Sequence, residues 1–331
     1  MVSLSILDYS PIDEGESAHE ALLATTKLAK YAEDLGYKRF WVSEHHFVES
    51  VANSSPEILM MHLATSTNSI RIGSGGVMLP HYSSFKVAEN FRMMEALHPN
   101  RIDIGIGRSP SYKMVNQALN EGKREHISYE QQIIDLKKYF LDNVNDPHRF
   151  KELVAMPRIP TKPEMWMLGT GEKGAEVAAK LGLGYVFAQF TPRTNGVEIV
   201  KRYRKLFQPS EFLLNPKTIV AVFAVVGETE EEAEDLAKAF DLWLYFVEST
   251  SPPPYYPSVE TAKRRGFSSI ELDKVKQNRN RMIIGTPNQV KKRIEEISVR
   301  YETDEIMIVP NVSRVENRKK VIKLLAEEFN R

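Results

Sequence analysis

The sequence predicts an α/β protein that folds as a (β/α)8 TIM barrel with insertions in its βα loops. Eight short apolar runs lie along the chain, and a longer segment with helical spacing follows each of them. Near-continuous apolar runs are typical of strands buried on both faces, and their alternation with helices indicates a parallel sheet. Eight strand–helix pairs are the number that closes a barrel. An open doubly wound sheet is the alternative, because it uses the same alternation.

The predicted strands are short and rich in aliphatic and aromatic residues. In chain order they are LSIL, RFWV, IRIGSGGVML, RIDIGIG, EMWML, GYVFA, IVAVFAVV and EIMIV. The polar stretches between them leave room for one or more helices in each connection.

Helix starts are indicated by capping boxes, in which an N-cap hydroxyl and a Glu or Gln three residues later satisfy free backbone amides. Four segments fit this pattern, namely SAHE (17–20), TEEE (229–232), TPNQ (286–289) and SRVE (313–316). Ser55 and Pro56 fit an N-cap followed by proline at the first helical position. Gly36 fits the residue just past a helix end.

We expect residues 1–331 to form one barrel domain, because barrels of this length occur as single units. The alternation is interrupted at about 245–282, where the sequence has three consecutive prolines, paired tyrosines and many charges. This irregular insertion is interpreted either as a surface segment or as a lid over the barrel mouth, because long insertions in compact domains are usually functional or disordered. A shorter irregular connection is predicted at 145–163.

The composition excludes several classes of protein. Lys and Arg number 44 against 44 Asp and Glu, and this zero net charge gives no footprint for nucleic acid. The absence of cysteine excludes disulfides, thiolate metal ligands and a cysteine nucleophile. The first ten residues lack the pattern of a signal peptide, and the longest apolar run, 219–226, is too short to span a membrane. We therefore expect a cytoplasmic protein.

The stretch SEHHF (43–47) places a carboxylate and two adjacent histidines where a predicted strand ends. Adjacent side chains on a strand point to opposite sides, so the two histidines rarely chelate one ion together. A metal site would need ligands such as Asp8, His81 and Asp103, and no recognised ligand spacing is present, so no metal is predicted. The other interpretations are a loop histidine with no special role and a single histidine at the barrel mouth that acts as an acid–base group or contacts a ligand.

Three glycines, Gly73, Gly75 and Gly76, interrupt the third predicted strand. Because glycine weakens a strand interior, the cluster needs a reason. It marks either a bulge or bend of the barrel, or a place where a flat ligand approaches bare backbone.

Two further strand ends could bind an anion. Arg108 follows Gly107 at the end of RIDIGIG and is either a phosphate clamp or a surface ion pair. Gly169, Thr170 and Gly171 lie between a predicted strand and a predicted helix, where free amides and the helix dipole favour an anion. Two such places at strand ends favour a phosphorylated cofactor.

Four segments together resemble the bacterial luciferase-like, flavin-dependent monooxygenases. They are WVSEHHF, IRIGSGGVMLPHYSSFKVAE, RIDIGIGRSP and GTGEKGAEVAAKLGLGYVFA, in this order and spacing. The similarity extends from the first strand to about residue 189 and resumes at IIGTPNQV (283–290). The resemblance implies a (β/α)8 barrel, in agreement with the strand count.

The resemblance also implies roles for individual residues. His45 corresponds to the active-site histidine beside the flavin ring and Glu44 to the acidic residue before it, and both are expected to be catalytic. The bond between Gly75 and Gly76 corresponds to a non-proline cis peptide against the isoalloxazine. Gly107 stands where luciferase has a cysteine that helps to stabilise the oxygenated flavin. The expected cofactor-binding residues are Gly75, Gly76, Gly107, Arg108, Gly169, Thr170 and Gly171.

The activity implied by the resemblance is that of a two-component monooxygenase. A separate flavin reductase would supply reduced FMN as a diffusible co-substrate, and O2 would then be used to oxidise a small organic substrate. The alternatives are a deazaflavin-dependent dehydrogenase of the same fold, a catalytically idle flavin-binding protein and a metal-dependent hydrolase. The resemblance further implies a homodimer. The barrel mouth is expected to mix apolar and aromatic groups such as Tyr9, Met78 and Phe190.

Overall fold

The computed structural model describes residues 2–108, 112–121, 123, 127–143, 148–192, 195–249 and 252–330. The strands in these ranges are β1 (Ser3–Asp8), β2 (Arg39–Val42), β3 (Arg71–Ser74), β4 (Val77–Met78), β5 (Ile102–Gly107), β6 (Glu164–Gly169), β7 (Gly184–Ala188), β8 (Thr218–Val226), β9 (Met282–Gly285) and β10 (Glu305–Val309).

The helices lie between these strands in sequence. They are α1 (Ala18–Asp34), α2 (Pro56–Ser66), α3 (Ser84–Leu97), α4 (Lys113–Leu119), α5 (Tyr129–Phe140), α6 (Glu172–Lys180), α7 (Gly196–Leu206), α8 (Glu230–Val247), α9 (Val259–Arg265), α10 (Ser269–Arg279), α11 (Pro287–Tyr301) and α12 (Val315–Phe329). Within the described ranges, none of them is both long and apolar enough to cross a membrane.

Eight parallel strands close into a barrel in the order β1-β2-β3-β5-β6-β7-β8-β10, and β10 pairs back with β1. The pairing of β8 with β10, in which Val220 lies opposite Ile306, closes the ring and rules out an open doubly wound sheet. The strand β4 pairs with β5 beyond the end of β3, and β9 pairs with the far end of β8. The predicted (β/α)8 barrel is confirmed, and each predicted strand contributes to the ring.

The capping boxes at Ser17 and Thr286 are confirmed. The hydroxyl of Thr229 accepts a hydrogen bond from the amide of Glu232, but the Glu232 carboxylate accepts from Glu228, one residue before the N-cap. Gly36 has a φ of +79° just past α1, as expected of a residue that ends a helix.

The capping box predicted at 313–316 is wrong, because α12 begins at Val315 with Arg314 at its N-cap. The backbone amide of Arg314 donates to Oδ1 of Asp13 at 2.8 Å. A carboxylate from the loop after β1 thus accepts from the N-cap amide, as the local glutamate would in a capping box. This is a tertiary contact that the local pattern does not contain.

The segment at 245–282 is more regular than its prolines and charges indicated, because it contains α9, α10 and the last turn of α8. Tyr256 is fully buried, its amide donates to the carbonyl of Ile12 at 2.7 Å, and its hydroxyl donates to the carbonyl of Asn311 at 2.8 Å. The segment therefore packs on the loops at the carboxyl ends of β1 and β10. By contrast, residues 148–163 contain no helix or strand.

A buried ion-pair network closes the amino-terminal end of the barrel. The fully buried guanidinium of Arg39 lies 2.8 Å from Asp103, 3.0 Å from Glu164 and 2.7 Å from Glu305. Burial alone would raise the pKa of the Glu305 carboxyl, but Arg39 and the nearby Lys38 hold that pKa below its usual range. The network joins the first residues of β2, β6 and β10 to β5.

Trp41 forms the next layer above this network. Its indole N–H donates to Asp103 at 2.9 Å, and its ring lies edge-on to Trp166 with centroids 6.1 Å apart. A Cβ on Gly73 would overlap the Trp41 ring, and a Cβ on Gly105 would overlap the carbonyl oxygen of Ser74. Gly73 is therefore required by packing against Trp41, which is a structural reason other than the predicted bulge or bend.

We expect Asp103→Ala to destabilise the fold by about 3–5 kcal/mol, because it leaves the buried Arg39 guanidinium without one of its carboxylates. The free energy of unfolding, measured by urea denaturation, tests this. The control is Asp273→Ala, which removes an exposed partner 3.9 Å from Lys276 and should change the stability by less than about 1 kcal/mol. Equal effects of the two substitutions would contradict a stabilising role for the network.

Candidate active site

The carboxyl ends of the barrel strands enclose a cavity of about 110 Å³. Most of its wall is apolar or aromatic and comes from β1, β6, β7, β8, β10 and the loops that follow them. Tyr9, Met78 and Phe190 belong to this wall, as predicted, and its polar members are Ser43, Glu44 and His45. The cavity thus presents one histidine to an otherwise largely apolar space.

A larger groove of about 960 Å³ adjoins this cavity, and Gly75, Met78, Leu168 and Ala188 belong to the walls of both. The groove passes the end of β5 and reaches the start of α6. Its wall contains every residue for which cofactor binding was predicted, namely Gly75, Gly76, Gly107, Arg108, Gly169, Thr170 and Gly171. Ser109 and Pro110, which follow Arg108, lie outside the described residues.

His45 lies on the loop that leaves β2, and its ring is fixed by two neighbours. Its Nδ1 is 2.9 Å from Oγ of Ser43, and its ring packs edge-on against Tyr9 with centroids 5.2 Å apart. Burial, together with a smaller effect of the nearby His46, lowers the pKa of His45 to about 4. The imidazole is therefore neutral near pH 7. Among the described residues nothing hydrogen-bonds Nε2, so this nitrogen is left for a ligand.

Glu44 is buried, and neighbouring donors occupy its carboxylate. Oε2 accepts a hydrogen bond from the backbone amide of Met78 at 2.9 Å, and Oε1 accepts one from the hydroxyl of Tyr82 at 2.7 Å. Nε2 of His46 lies 2.8 Å from the same Oε1. The carboxylate therefore ties the loop after β2 to the segment after β4, which is the geometry of a positioning group.

The two adjacent histidines are separated in space, as expected for neighbours on an extended chain. His45 faces the cavity, whereas His46 contacts Glu44. Two of the other residues considered as metal ligands lie apart: Asp8 accepts from Thr25 at 2.6 Å, and Asp103 lies at the opposite end of the barrel. Within the described ranges, no three His, Asp or Glu side chains form a group suited to a metal ion.

Bare backbone forms the wall between β3 and β5. The peptide bond between Gly75 and Gly76 is cis, as the resemblance implied. A Cβ on Gly75 would lie 2.5 Å from Cδ1 of Leu7, and a Cβ on Gly76 would lie 2.8 Å from the carbonyl oxygen of Gly105. Backbone excludes a side chain at Gly76, and a side chain at Gly75 would have to displace that of Leu7, so a flat ligand would meet main-chain atoms here.

The far end of the groove has the chemistry of an anion site. Gly171 is the N-cap of α6 and supplies no capping side chain, and a Cβ built on it would meet nothing within 4 Å. Arg108 lies at the rim with its side chain exposed. The buried Oη of Tyr129, in the same wall, has no hydrogen-bond partner among the described residues. Free helix amides, a cation and an unsatisfied hydroxyl fit a phosphate.

Sequence reasoning missed Tyr82 and Tyr129. Tyr82 lies in a quoted segment, but nothing in its spacing indicates that its hydroxyl reaches Glu44. Tyr129 is the first residue of α5 and has no motif around it. Both hydroxyls are placed by the packing of elements that are distant in sequence. The one feature that could have identified these tyrosines is the burial of a polar group, which only the structure shows.

We expect the low pKa of His45 to reduce stability in acid. The folded-state pKa of about 4 lies below the ordinary value of 6.5, so the unfolded chain binds more protons between these pH values. The contribution to stability is complete above pH 6.5 and is lost as the pH falls towards 4. Urea denaturation at several pH values should show a steeper loss for the native protein than for His45→Gln. Parallel pH profiles would contradict a lowered pKa.

Comparisons with known proteins place the chain in one family. Residues 3–302 match the family model of luciferase-like monooxygenases. The chain is 48% identical over 331 residues to protein YwcH of Bacillus subtilis, with 99% of both chains covered. It is 36% identical over 337 residues to the N-acetyl-S-alkylcysteine monooxygenase of the same species, covering 99% of this chain and 98% of the relative.

Solved structures share the same architecture. Apo-MsnO8 superposes with a TM-score of 0.90 at 32% identity, with 99% and 98% of the two chains covered. A type II Baeyer–Villiger monooxygenase component from Pseudomonas putida, solved with FMN, has a TM-score of 0.72 at 16% identity and covers 99% and 97%. An F420-dependent secondary alcohol dehydrogenase has a TM-score of 0.65 at 14% identity and covers 98% and 99%.

The last two of these structures bear on the fold alone. The family match covers most of the chain and agrees with the barrel fold. This chain belongs to the luciferase-like monooxygenase family.

Proposed function

We propose that the chain is a cytoplasmic, single-domain flavin-dependent monooxygenase that uses reduced FMN and O2 to oxidise a small organic substrate. The observation that carries the proposal is a shared wall, because the apolar cavity beside neutral His45 and the groove that reaches α6 have Gly75, Met78, Leu168 and Ala188 in common. The apolar part suits a ring and a substrate, and the other end suits a phosphate.

The residues that line the groove would have different binding roles according to their position. Gly75 and Gly76 would present backbone to the flat ring, while Arg108, Tyr129 and the amides at the start of α6 would hold the phosphate. Gly107, Gly169 and Thr170 would line the space between ring and phosphate. The bound reduced flavin would supply the electrons and the reaction with oxygen.

His45 would act as the acid–base or orienting group at the cavity. When Nδ1 carries the ring hydrogen and donates it to Ser43, the neutral imidazole can accept a proton at Nε2, and the same contact fixes the orientation of the ring. Glu44, committed to Met78 and Tyr82, would act by holding the loop that carries His45. The apolar cavity wall would exclude water from the reacting groups.

The cavity is small and apolar, so the reacting part of the substrate would be small and uncharged. The relative that is named for N-acetyl-S-alkylcysteine makes an alkyl thioether the first class to test. A separate flavin reductase would supply the reduced FMN.

We expect native protein to change the reaction of reduced FMN with oxygen in stopped-flow absorbance, with reoxidation slower than that of free flavin. N-acetyl-S-methylcysteine is the probe substrate. His45→Ala should lower its oxidation by about 100-fold or more, because an acid–base group contributes on this scale, while flavin binding is retained.

The control is His62→Ala, which changes an exposed histidine on α2. Native turnover in His45→Ala would contradict the role of His45. A response to reduced F420 and none to FMN would replace the proposal with the deazaflavin-dependent dehydrogenase. Tight binding of oxidised FMN without any change in the oxygen reaction would favour an idle flavin-binding protein.

We expect Arg108→Ala to weaken FMN binding by about tenfold to a hundredfold, because a hydrogen bond to a charged group contributes on the order of 1.5–3 kcal/mol. Riboflavin has no phosphate, so its affinity should not change. Flavin titrations by fluorescence test this, with the exposed Arg293 on α11 changed to Ala as the control. An equal loss for both flavins would contradict a phosphate contact.

We also propose a homodimer through the outer face of α1, α2 and α3. Leu23, Ile58 and Leu97 on these helices are 43%, 75% and 62% exposed. The three helices are neighbours, because His62 on α2 reaches Thr26 on α1 and Thr65 on α2 reaches His98 after α3. Burial of such a shared apolar face would favour association.

Light scattering should therefore give twice the chain mass for native protein, and one chain mass for the double variant Ile58→Asp, Leu97→Asp. The control is Val299→Asp, at an equally exposed apolar position on α11. A monomeric native protein, or a dimer that survives the double substitution, would contradict this interface.

A further inference from the structure

Met78 belongs to the walls of both the cavity and the groove. It is half-buried, whereas Met307 in the cavity wall and Met167 in the groove wall are each only 1% exposed. The chain has no cysteine. Among the described residues in these two walls, Met78 is therefore the most exposed methionine.

The backbone of Met78 is held from two sides. Its amide donates to Oε2 of Glu44 at 2.9 Å, and in the pairing of β4 with β5 it lies opposite Gly107. These contacts fix the point from which the side chain leaves the main chain.

The thioether lies over Gly107. A Cβ built on Gly107 would come within 3.1 Å of Sδ and 3.2 Å of Cε of Met78. The sulfur therefore fills the space that a side chain at position 107 would need. It lies in the part of the groove beside Gly75 and Gly76, where the flat ring of the cofactor is proposed to bind.

We propose that Met78 is a site of self-oxidation, modified to the sulfoxide when reduced flavin reacts with oxygen in the absence of substrate. This inference rests on the proposed function. The sulfur loses two electrons and gains one oxygen atom of O2. The other oxygen atom leaves as water, with two electrons from the reduced flavin and two protons. A thioether is the side chain most readily oxidised in this way when cysteine is absent.

The sulfoxide would change the shared wall. Oxidation converts an apolar, flexible side chain into a polar one, next to a cavity lined by Leu7, Phe190 and Met307. A bound substrate would compete with Met78 for the oxygen atom. Substrate therefore protects Met78, whereas the reaction of reduced flavin with oxygen in the absence of substrate oxidises it.

The experiment is peptide mass spectrometry of native protein after incubation with FMN, NADH, a flavin reductase and oxygen, with catalase and superoxide dismutase present to remove free oxidants. The internal controls are Met114 and Met156, which are 66% and 56% exposed. A second sample receives hydrogen peroxide without flavin. Free peroxide should modify these exposed methionines before Met78.

In the flavin reaction we expect the sulfoxide fraction of Met78 to be at least about tenfold that of Met114, because proximity raises the effective concentration of a reactant by far more than this. The Met78→Leu variant should show no compensating oxidation at Met307.

If the protein binds flavin and changes its reaction with oxygen but Met78 stays intact, or is oxidised no more than Met114, the inference is overturned and the proposed function stands. If flavin neither binds nor reacts differently from free flavin and Met78 is intact, both are overturned.

Discussion

The rest of the barrel depends on one buried group, the guanidinium of Arg39. It pairs with carboxylates from β5, β6 and β10, so it joins strands that are far apart in sequence but converge at the amino-terminal end of the ring. A buried charge without partners is costly, and the network therefore strongly disfavours arrangements in which these strands do not meet. It also supports Trp41, whose indole donates to Asp103.

The stabilising network and the candidate active site therefore lie at opposite ends of the same strands. The amino-terminal end is filled by charges and by Trp41 and Trp166, with Arg39 4.8 Å above the Trp166 ring. The carboxyl end contains the cavity and the groove, because glycine replaces side chains where β3 and β5 meet. Contacts with Ser43 and Tyr9 hold His45 at the edge of the cavity. Because the amino-terminal end of the barrel is rigidly packed, its carboxyl end can accommodate a cavity and a buried histidine.

Much of the site was predictable because its elements are local in sequence. A strand end, a glycine cluster and a glycine-rich turn before a helix are each visible in a short window, and parallel strands bring their carboxyl ends together in a barrel. The partners of Glu44 were not predictable in this way. Met78 and Tyr82 lie 34 and 38 residues away and meet the carboxylate only once β2 and β4 are placed. The cap of α12 failed for the same reason, because its partner Asp13 is 301 residues distant.

The sequence by itself determined the barrel and the position of the mouth, because strand period, strand order and most helix starts are local or nearest-neighbour properties. Only the tertiary structure decided what each polar group does there. It separated His45 from His46 and committed Glu44 to holding a loop. It placed Asp103 at the opposite end from the mouth and laid the sulfur of Met78 over Gly107. These outcomes depend on distances between elements that are far apart in the chain, and those distances are set by packing of the whole barrel.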